Sequence, residues 1–403
     1  GASKITGPGF NNRLDELSPE EFEVIKKFVT NAESLQDNQI VVNRFTTSQI
    51  FKYKPIESLS IRFTGGIDYR AQDQSVVVTN EYLSATRGTA VIDEGSIQNV
   101  QRNYLGITLE LTAQHTYEVD DFSFITTVGG QFFRTNDHQI LYSGSNIRDG
   151  AQTISDAAVK DSDEYLAQVL NYGVYVQENL GYKDKLFLDL GIRGDRNPSF
   201  GDNIGTQYYP KAGVSYMLSS EPWYSSEFVN SLRLRGSFGR AGNLPPAFAN
   251  EKTVQFDGYL GDQAAYFGQP GNANLKPEKT TTFEGGVDLA LLNNRIKFSA
   301  GYYRSLTSDA LFYVPSAPSS GYSVSQLYNI GEIENYGLEL NTTFVPIQTN
   351  DISLSINASF NTLHNEVIDS GGAPAFNING FSSRTLQTVV QEGYPIGFLR
   401  GNL

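Results

Sequence analysis

Between Ile352 and Phe360 apolar and small polar residues alternate without a break, Ile-Ser-Leu-Ser-Ile-Asn-Ala-Ser-Phe. Successive side chains of a strand point to opposite sides. Ile352, Leu354, Ile356, Ala358 and Phe360 therefore form one face, and Ser353, Ser355, Asn357 and Ser359 the other. Leu186 to Ile192, Leu232 to Phe238, Ile296 to Tyr302 and Leu338 to Phe344 alternate in the same way. Repeated strands of about ten residues with a single apolar face are the pattern of a membrane-spanning β-barrel.

Followed along the chain, the pattern predicts about twelve strands, near 38–50, 57–69, 104–117, 122–134, 169–181, 186–194, 208–218, 231–239, 280–290, 296–304, 336–345 and 352–363. Their connections alternate between short and long. Val119-Asp120-Asp121, Lys183-Asp184, Asn293-Asn294 and Gln348-Thr349-Asn350 supply tight turns. The long connections fall near 70–103, 135–168, 195–207, 240–279 and 305–335. Outer-membrane barrels keep short turns on the periplasmic side and long loops outside, a parity that a soluble sandwich has no reason to maintain. The fold class expected is all-β, an antiparallel transmembrane β-barrel over 38–363. By the same parity, 1–37 and 364–403 are extracellular loops, the second leading to further, absent strands. Within the first, Ser18 as N-cap, Pro19 at the first helical position and Glu21 in a capping box predict a helix over 18–29. Its apolar Phe22, Ile25, Phe28 and Val29 suit either a surface lid or a helix packed over the barrel rim.

Composition narrows the class. Hydrophobic residues make up 39% of the 403, yet no run approaches the ~20 apolar residues a transmembrane helix needs. With no cysteine and three separated histidines, His115, His138 and His364, no thiolate or zinc motif is present, and no cofactor or metal is expected. A net charge of −14 without basic clusters argues against nucleic acid. Gly1 to Phe10 has neither the basic start nor the apolar core of a signal peptide, so either export processing removed one or the chain is an internal piece.

In a wide barrel the polar residues of each strand face the lumen. The candidates are Asp189, Arg193, Asp195, Arg233, Arg235, Glu284, Asp288, Lys297 and Glu339, for contacts with a plug or a polar solute. The bland alternative is that they form cross-strand ion pairs and hold no ligand. Asp161-Ser162-Asp163-Glu164 reads as a solvated acidic loop or a calcium loop. The sequons at Asn341 and Asn357 fall on strands and carry no weight. No histidine is placed beside a serine in a nucleophile elbow, so no catalytic residue is assigned and no enzyme is expected.

Gly271-Asn272-Ala273-Asn274-Leu275-Lys276-Pro277-Glu278, followed by Thr282-Phe283-Glu284-Gly285-Gly286, resembles a signature of TonB-dependent outer-membrane transporters. Tyr172 to Glu178, Tyr182 to Leu188, Tyr209 to Tyr216, Glu221-Pro222-Trp223, Leu232 to Asn243 (ending Gly242-Asn243), Asn329 to Glu339 and Gly393 to Gly397 are similar to the SusC/RagA family of Bacteroidetes. The resemblance covers roughly 170–400. It implies a barrel of about 22 strands with an N-terminal plug, active import driven through TonB, and pairing with a SusD-like surface lipoprotein in the outer membrane lipid. Plug, TonB box and final strand are not found in this sequence, so it reads as a middle portion of the barrel. The expected function is TonB-dependent uptake of a glycan or oligopeptide by a Gram-negative, Bacteroidetes-like cell. A passive porin or surface-adhesion barrel is the alternative. Tyr259, Tyr266 and Phe267 could stack on sugar rings or pack against the lipoprotein.

Overall fold

The computed structural model describes residues 18–19, 36–87, 91–148, 150, 153–197, 205–246, 248–259, 262–316, 319, 322, 324–382 and 386–401. Apart from Ser18 and Pro19, the predicted helix 18–29 lies outside them.

The wall strands are β1 (Gln36–Ile56), β2 (Leu59–Val78), β3 (Gly95–Val119), β4 (Phe122–Ile147), β5 (Val159–Tyr182), β6 (Leu186–Arg196), β7 (Gln207–Met217) and β8 (Val229–Asn243). Beyond a hairpin of β9 (Val254–Tyr259) and β10 (Asp262–Phe267), the wall continues with β11 (Glu278–Leu291) and β12 (Ile296–Ser308). A second hairpin, β13 (Leu311–Val314) and β14 (Gln326–Asn329), precedes β15 (Glu332–Gln348), β16 (Ser353–Asn361) and β17 (His364–Asp369). The chain continues into β18 (Phe376–Ser382), β19 (Leu386–Val390) and β20 (Phe398–Gly401). A helix, α1 (Asn80–Arg87), follows β2. Wall strands pair in the order β1-β2-β3-β4-β5-β6-β7-β8-β11-β12-β15-β16, with β17 also on β15, while β18-β19-β20 form a separate sheet. Every predicted wall strand is present.

The turns follow the expected chemistry. Lys183 and Asp184 both have positive φ, 54° and 53°, the geometry of a type I′ hairpin whose twist matches that of its strands. Strand lengths differ from expectation. β4 continues thirteen residues past the predicted end at 134, through Thr135-Asn136-Asp137-His138-Gln139. These residues are polar on both faces, so hydropathy alternation vanishes where the apolar band ends, although backbone pairing continues. The tail beyond 363, a loop by parity, instead carries strands: β17 pairs with β15, for example Val367 with Ile333, and β18 to β20 follow.

The chain divides into two compact units. One comprises Gly1–Gln49, Gly65–Thr108 and Phe133–Val169. It holds a small core of Ile97, Ile147 and Ala157 packed by Val77 and Ile154. Buried Asn80 ties it together: its amide donates to the Ile147 carbonyl (2.9 Å) and its oxygen accepts from the Glu94 and Gly95 N–H groups (2.8 and 2.7 Å). The other unit comprises Ile50–Thr64, Leu109–Phe132 and Leu170–Leu403. Its clusters are Ala310, Phe312, Val367, Phe376 and Val390, and Ala249, Leu275 and Leu327.

Candidate functional site

Residues directly opposed in an antiparallel pair share a face. In the second unit Asp189 opposes Gly213, which opposes Ser237, which opposes Glu284, which opposes Tyr303. Asp288 lies opposite Arg233 and Ser299, Arg235 opposite Ser215 and Gly286, Lys297 opposite Thr343, and Glu339 opposite Gly301. Arg193 and Asp195 follow Asp189 at the same parity on β6. All the predicted lumen residues therefore fall on one face of this sheet. Its other face is apolar: Leu188 opposes Leu180 and Val214, Leu234 opposes Tyr216 and Val287, and Leu340 opposes Ala300 and Phe360. Outward aromatic residues bound this apolar band. On β5, Tyr172 and Tyr182 stand ten residues apart, about 25 Å along the membrane normal for a strand rising about 3.3 Å per residue and tilted about 40°, the height of an outer-membrane apolar band. Glu178 is an exception in mid-band. Thr126 Oγ1 donates to it at 2.6 Å, and its second oxygen is buried without a partner among the described residues.

The polar face is mostly self-neutralised. Lys211 reaches Asp189 (3.2 Å) and Gln177 (2.9 Å). Arg193 donates to Asp195 (2.8 Å) and to Gln131 (3.0 Å), with its guanidinium 5.9 Å from the Tyr175 ring centre. Asp288 accepts from Arg233 (2.7 Å) and Ser299 (2.6 Å), with Arg235 at 3.5 Å. Glu284 accepts from Ser237 at 3.4 Å. Partly exposed pairs of this kind contribute about 0–1 kcal/mol each, so they set side-chain directions more than stability. Lys297 and Glu339 make no ion pair among the described residues. A cavity of about 490 Å³ opens on this face, lined by Ser123, Asn179, Asp189, Ser215, Arg235 and Glu284 among others.

Several residues of the polar face escape a reading strand by strand. Tyr175 donates to Glu110 and shares a hydrogen bond with Thr112 (both 3.1 Å), and its ring fills the space where any side chain at Gly129 would stand. In the first unit, Arg44 forks onto Asp68 (2.8 and 2.9 Å), Arg102 onto Asp137, and Arg70 stands 5.9 Å from the Tyr104 ring centre. Asp137 lies beyond the apolar band, where β4's outward positions turn polar at Arg134. The hydrogen bond from Arg102 holds the Asp137 carboxyl below the usual carboxylate range, against the opposing effect of burial, and the charge of Arg70 adds to the pull. In the hairpin turn, the Asp121 carboxylate pushes the Lys183 amine up.

The signature residues serve packing. Leu275 is fully buried against Ala249 and Leu327, and Pro277 is buried with it. The Lys276 N–H donates to Asn329 Oδ1 (2.7 Å), while the Asn329 amide donates to the Lys276 and Asp309 carbonyls (2.7 and 3.0 Å). Asn274 N–H donates to Asn272 (3.1 Å), and Asn243 donates to Glu278 (2.7 Å). A side chain at Gly242 would collide with Tyr209, and Gly271, at φ 65°, lies against the backbone of Glu251. Tyr266 and Phe267 are exposed on β10, with Phe267 5.3 Å from Tyr322; the Tyr259 side chain is outside the described residues. Asp161 to Glu164 lie on β5 rather than in a loop, and His138 contacts Glu164 at 2.7 Å. No group of three metal-binding side chains is found among the described residues.

A family model described as "TonB dependent receptor-like, beta-barrel" matches residues 7–396. TonB-dependent receptor P26 of Formosa agariphila is 25% identical over 90% of this chain, which spans 38% of that protein. TonB-dependent receptor SusC of Bacteroides thetaiotaomicron is 24% identical over 72% of this chain, which spans 30% of it. The solved structure of the RagAB peptide transporter superposes with a TM-score of 0.78 at 19% identity, covering 90% of this chain and 40% of that one.

Proposed function

The chain belongs to the TonB-dependent receptor β-barrel family, of SusC/RagA type, and we propose that it forms part of the wall of an active importer. Members of the family are outer-membrane proteins of Gram-negative bacteria, receptors and transporters rather than enzymes. In this reading the apolar face meets lipid, the polar face lines the lumen, and the long connections face the outside. A plug lying outside these residues gates the lumen, TonB acts on that plug, and a SusD-like lipoprotein delivers a glycan or an oligopeptide in a Bacteroidetes-like cell. The observation that carries it is the two-faced register shared by the paired wall strands from β6 to β16, shifted only at Ala290/Leu291 and Phe344/Ile347 among the described pairings, with charged side chains on one face and apolar ones opposite Leu188, Leu234 and Leu340. RagAB is a peptide transporter, so peptide uptake forms one arm of the test.

The test uses cells expressing the whole gene product and measures uptake of fluorescent oligopeptides and of neutral oligosaccharides, with and without a protonophore. Uptake of one class that collapses with the proton gradient is the expected result. Uptake that depends only on solute size and ignores the gradient would sink active import and favour a passive porin.

A further inference from the structure

We infer that Arg70 is an anchor for a carboxylate carried by the imported solute. This rests on the import reading and gives its solute a chemistry. In the first unit, Arg44, Asp68, Arg70, Arg102, Tyr104 and Asp137 gather on one face, three guanidiniums against two carboxylates. Each carboxylate already has its own arginine in fork geometry. Arg44 binds Asp68 through two nitrogens, and Thr46 adds a third donor at 3.0 Å. Arg102 binds Asp137 through two nitrogens as well.

Arg70 is left over. It is close enough to act electrostatically on both Asp68 and Asp137, yet it hydrogen-bonds to neither. Its Nε is buried and has no partner among the described residues. Its guanidinium carbon stands 5.9 Å from the Tyr104 ring centre, within reach of the ring's negative face. A buried donor without an acceptor is destabilising until an acceptor arrives, and a guanidinium presents paired N–H groups matched to a carboxylate. The local surplus of one positive charge supplies the matching attraction.

Place agrees with chemistry. Outward Ile61, Phe63, Ile67 and Tyr69 carry the apolar band of β2, and Arg70 is the next residue on the polar side. Past it β2 runs on to Val78 and to the long connection bearing α1. Arg70 thus stands where the band ends on the long-connection side, which a solute arriving from outside meets first.

A carboxylate can come from an acidic peptide or from a uronate glycan, so the test has two arms on the whole transporter with its lipoprotein. One compares a Glu-containing decapeptide with its Gln twin, the other oligogalacturonate with its methyl ester. In one arm the wild type should bind the charged member about tenfold more tightly, the factor expected of a charge-assisted hydrogen bond. Arg70→Gln should erase that ratio while leaving affinity for the uncharged twin unchanged, and Arg70→Lys should keep part of it. The inference falls if neither pair is discriminated, if neither pair binds, or if Arg70→Gln weakens charged and uncharged probes alike. Protonophore-sensitive uptake without discrimination would remove only the anchor. Uptake indifferent to the gradient would remove the import reading, whatever Arg70 does.

Discussion

Leu340 and Glu339 are neighbours on β15 that face opposite ways, and they offer a direct measure of which side meets lipid. Leu340 lies on the apolar face between Ala300 and Phe360. Outward Tyr336 and Phe344 stand four residues to either side, about 10 Å each along the membrane normal at about 3.3 Å per residue and a tilt of about 40°. That puts Leu340 at mid-band. No carboxylate faces it there, since Glu339 and Asn341 share the other face. Leu340→Arg should therefore carry the full midplane cost of about 2–4 kcal/mol. Glu339→Arg, opposite Gly301 with no ion pair to lose, should change stability by less than about 1 kcal/mol. The assay is urea titration of the whole transporter folding into liposomes, read by the heat-dependent gel shift of folded barrels. Equal costs at the two positions, or a larger cost at 339, would refute the assignment of faces.

Three further perturbations follow from other contacts. Leu275→Ala should destabilise the 271–278 segment by about 2–5 kcal/mol, because a fully buried leucine leaves a cavity, and proteolysis between β10 and β11 should rise accordingly. Gly129→Leu should expel the Tyr175 ring and break its bonds to Glu110 and Thr112, costing about 1–3 kcal/mol as an overpacked site, whereas Gly285→Ala, on the apolar face, meets open space and should be neutral. Asp137 titrates lower folded than unfolded, so its stabilisation is complete above the unfolded value of about 3.9 and is lost as pH falls through the folded one. Hydrogen exchange of β3 and β4 should quicken on acidification below about pH 4 in the wild type, and Asp137→Asn should flatten that dependence.

The wall was legible because its rule is local. A strand with lipid on one side and polar surroundings on the other must alternate, so Ile352 to Phe360 or Leu186 to Ile192 declare themselves without reference to any partner. The tight turns are legible for the same reason: Asp184, Asn293 and Asn294 tolerate the positive φ that hairpins need, and Lys183 is held in it by the turn. Outside the band no lipid requires every second residue to be apolar, and single positions such as Ile97, Ile147 and Val367 are buried in local cores instead, which is why the extensions of β2 to β5 and the strands after Leu363 carry no regular signal in hydropathy.

The candidate site divides along the same line. Parity within a strand was enough to put Asp189, Arg233, Asp288 and Glu339 on one face. It could not tell which charge is satisfied, because that depends on register between strands distant in sequence: Arg233 meets Asp288 across 55 positions. Nor could it show that Asn329 holds the signature loop by hydrogen bonds to Lys276, or that Arg70 is the arginine whose neighbours have taken both carboxylates. Alternation is imposed by the solvent on each residue alone, so the sequence by itself determined the strands and their faces. Pairing of charges is a contest among several strands, and only the tertiary structure decided it.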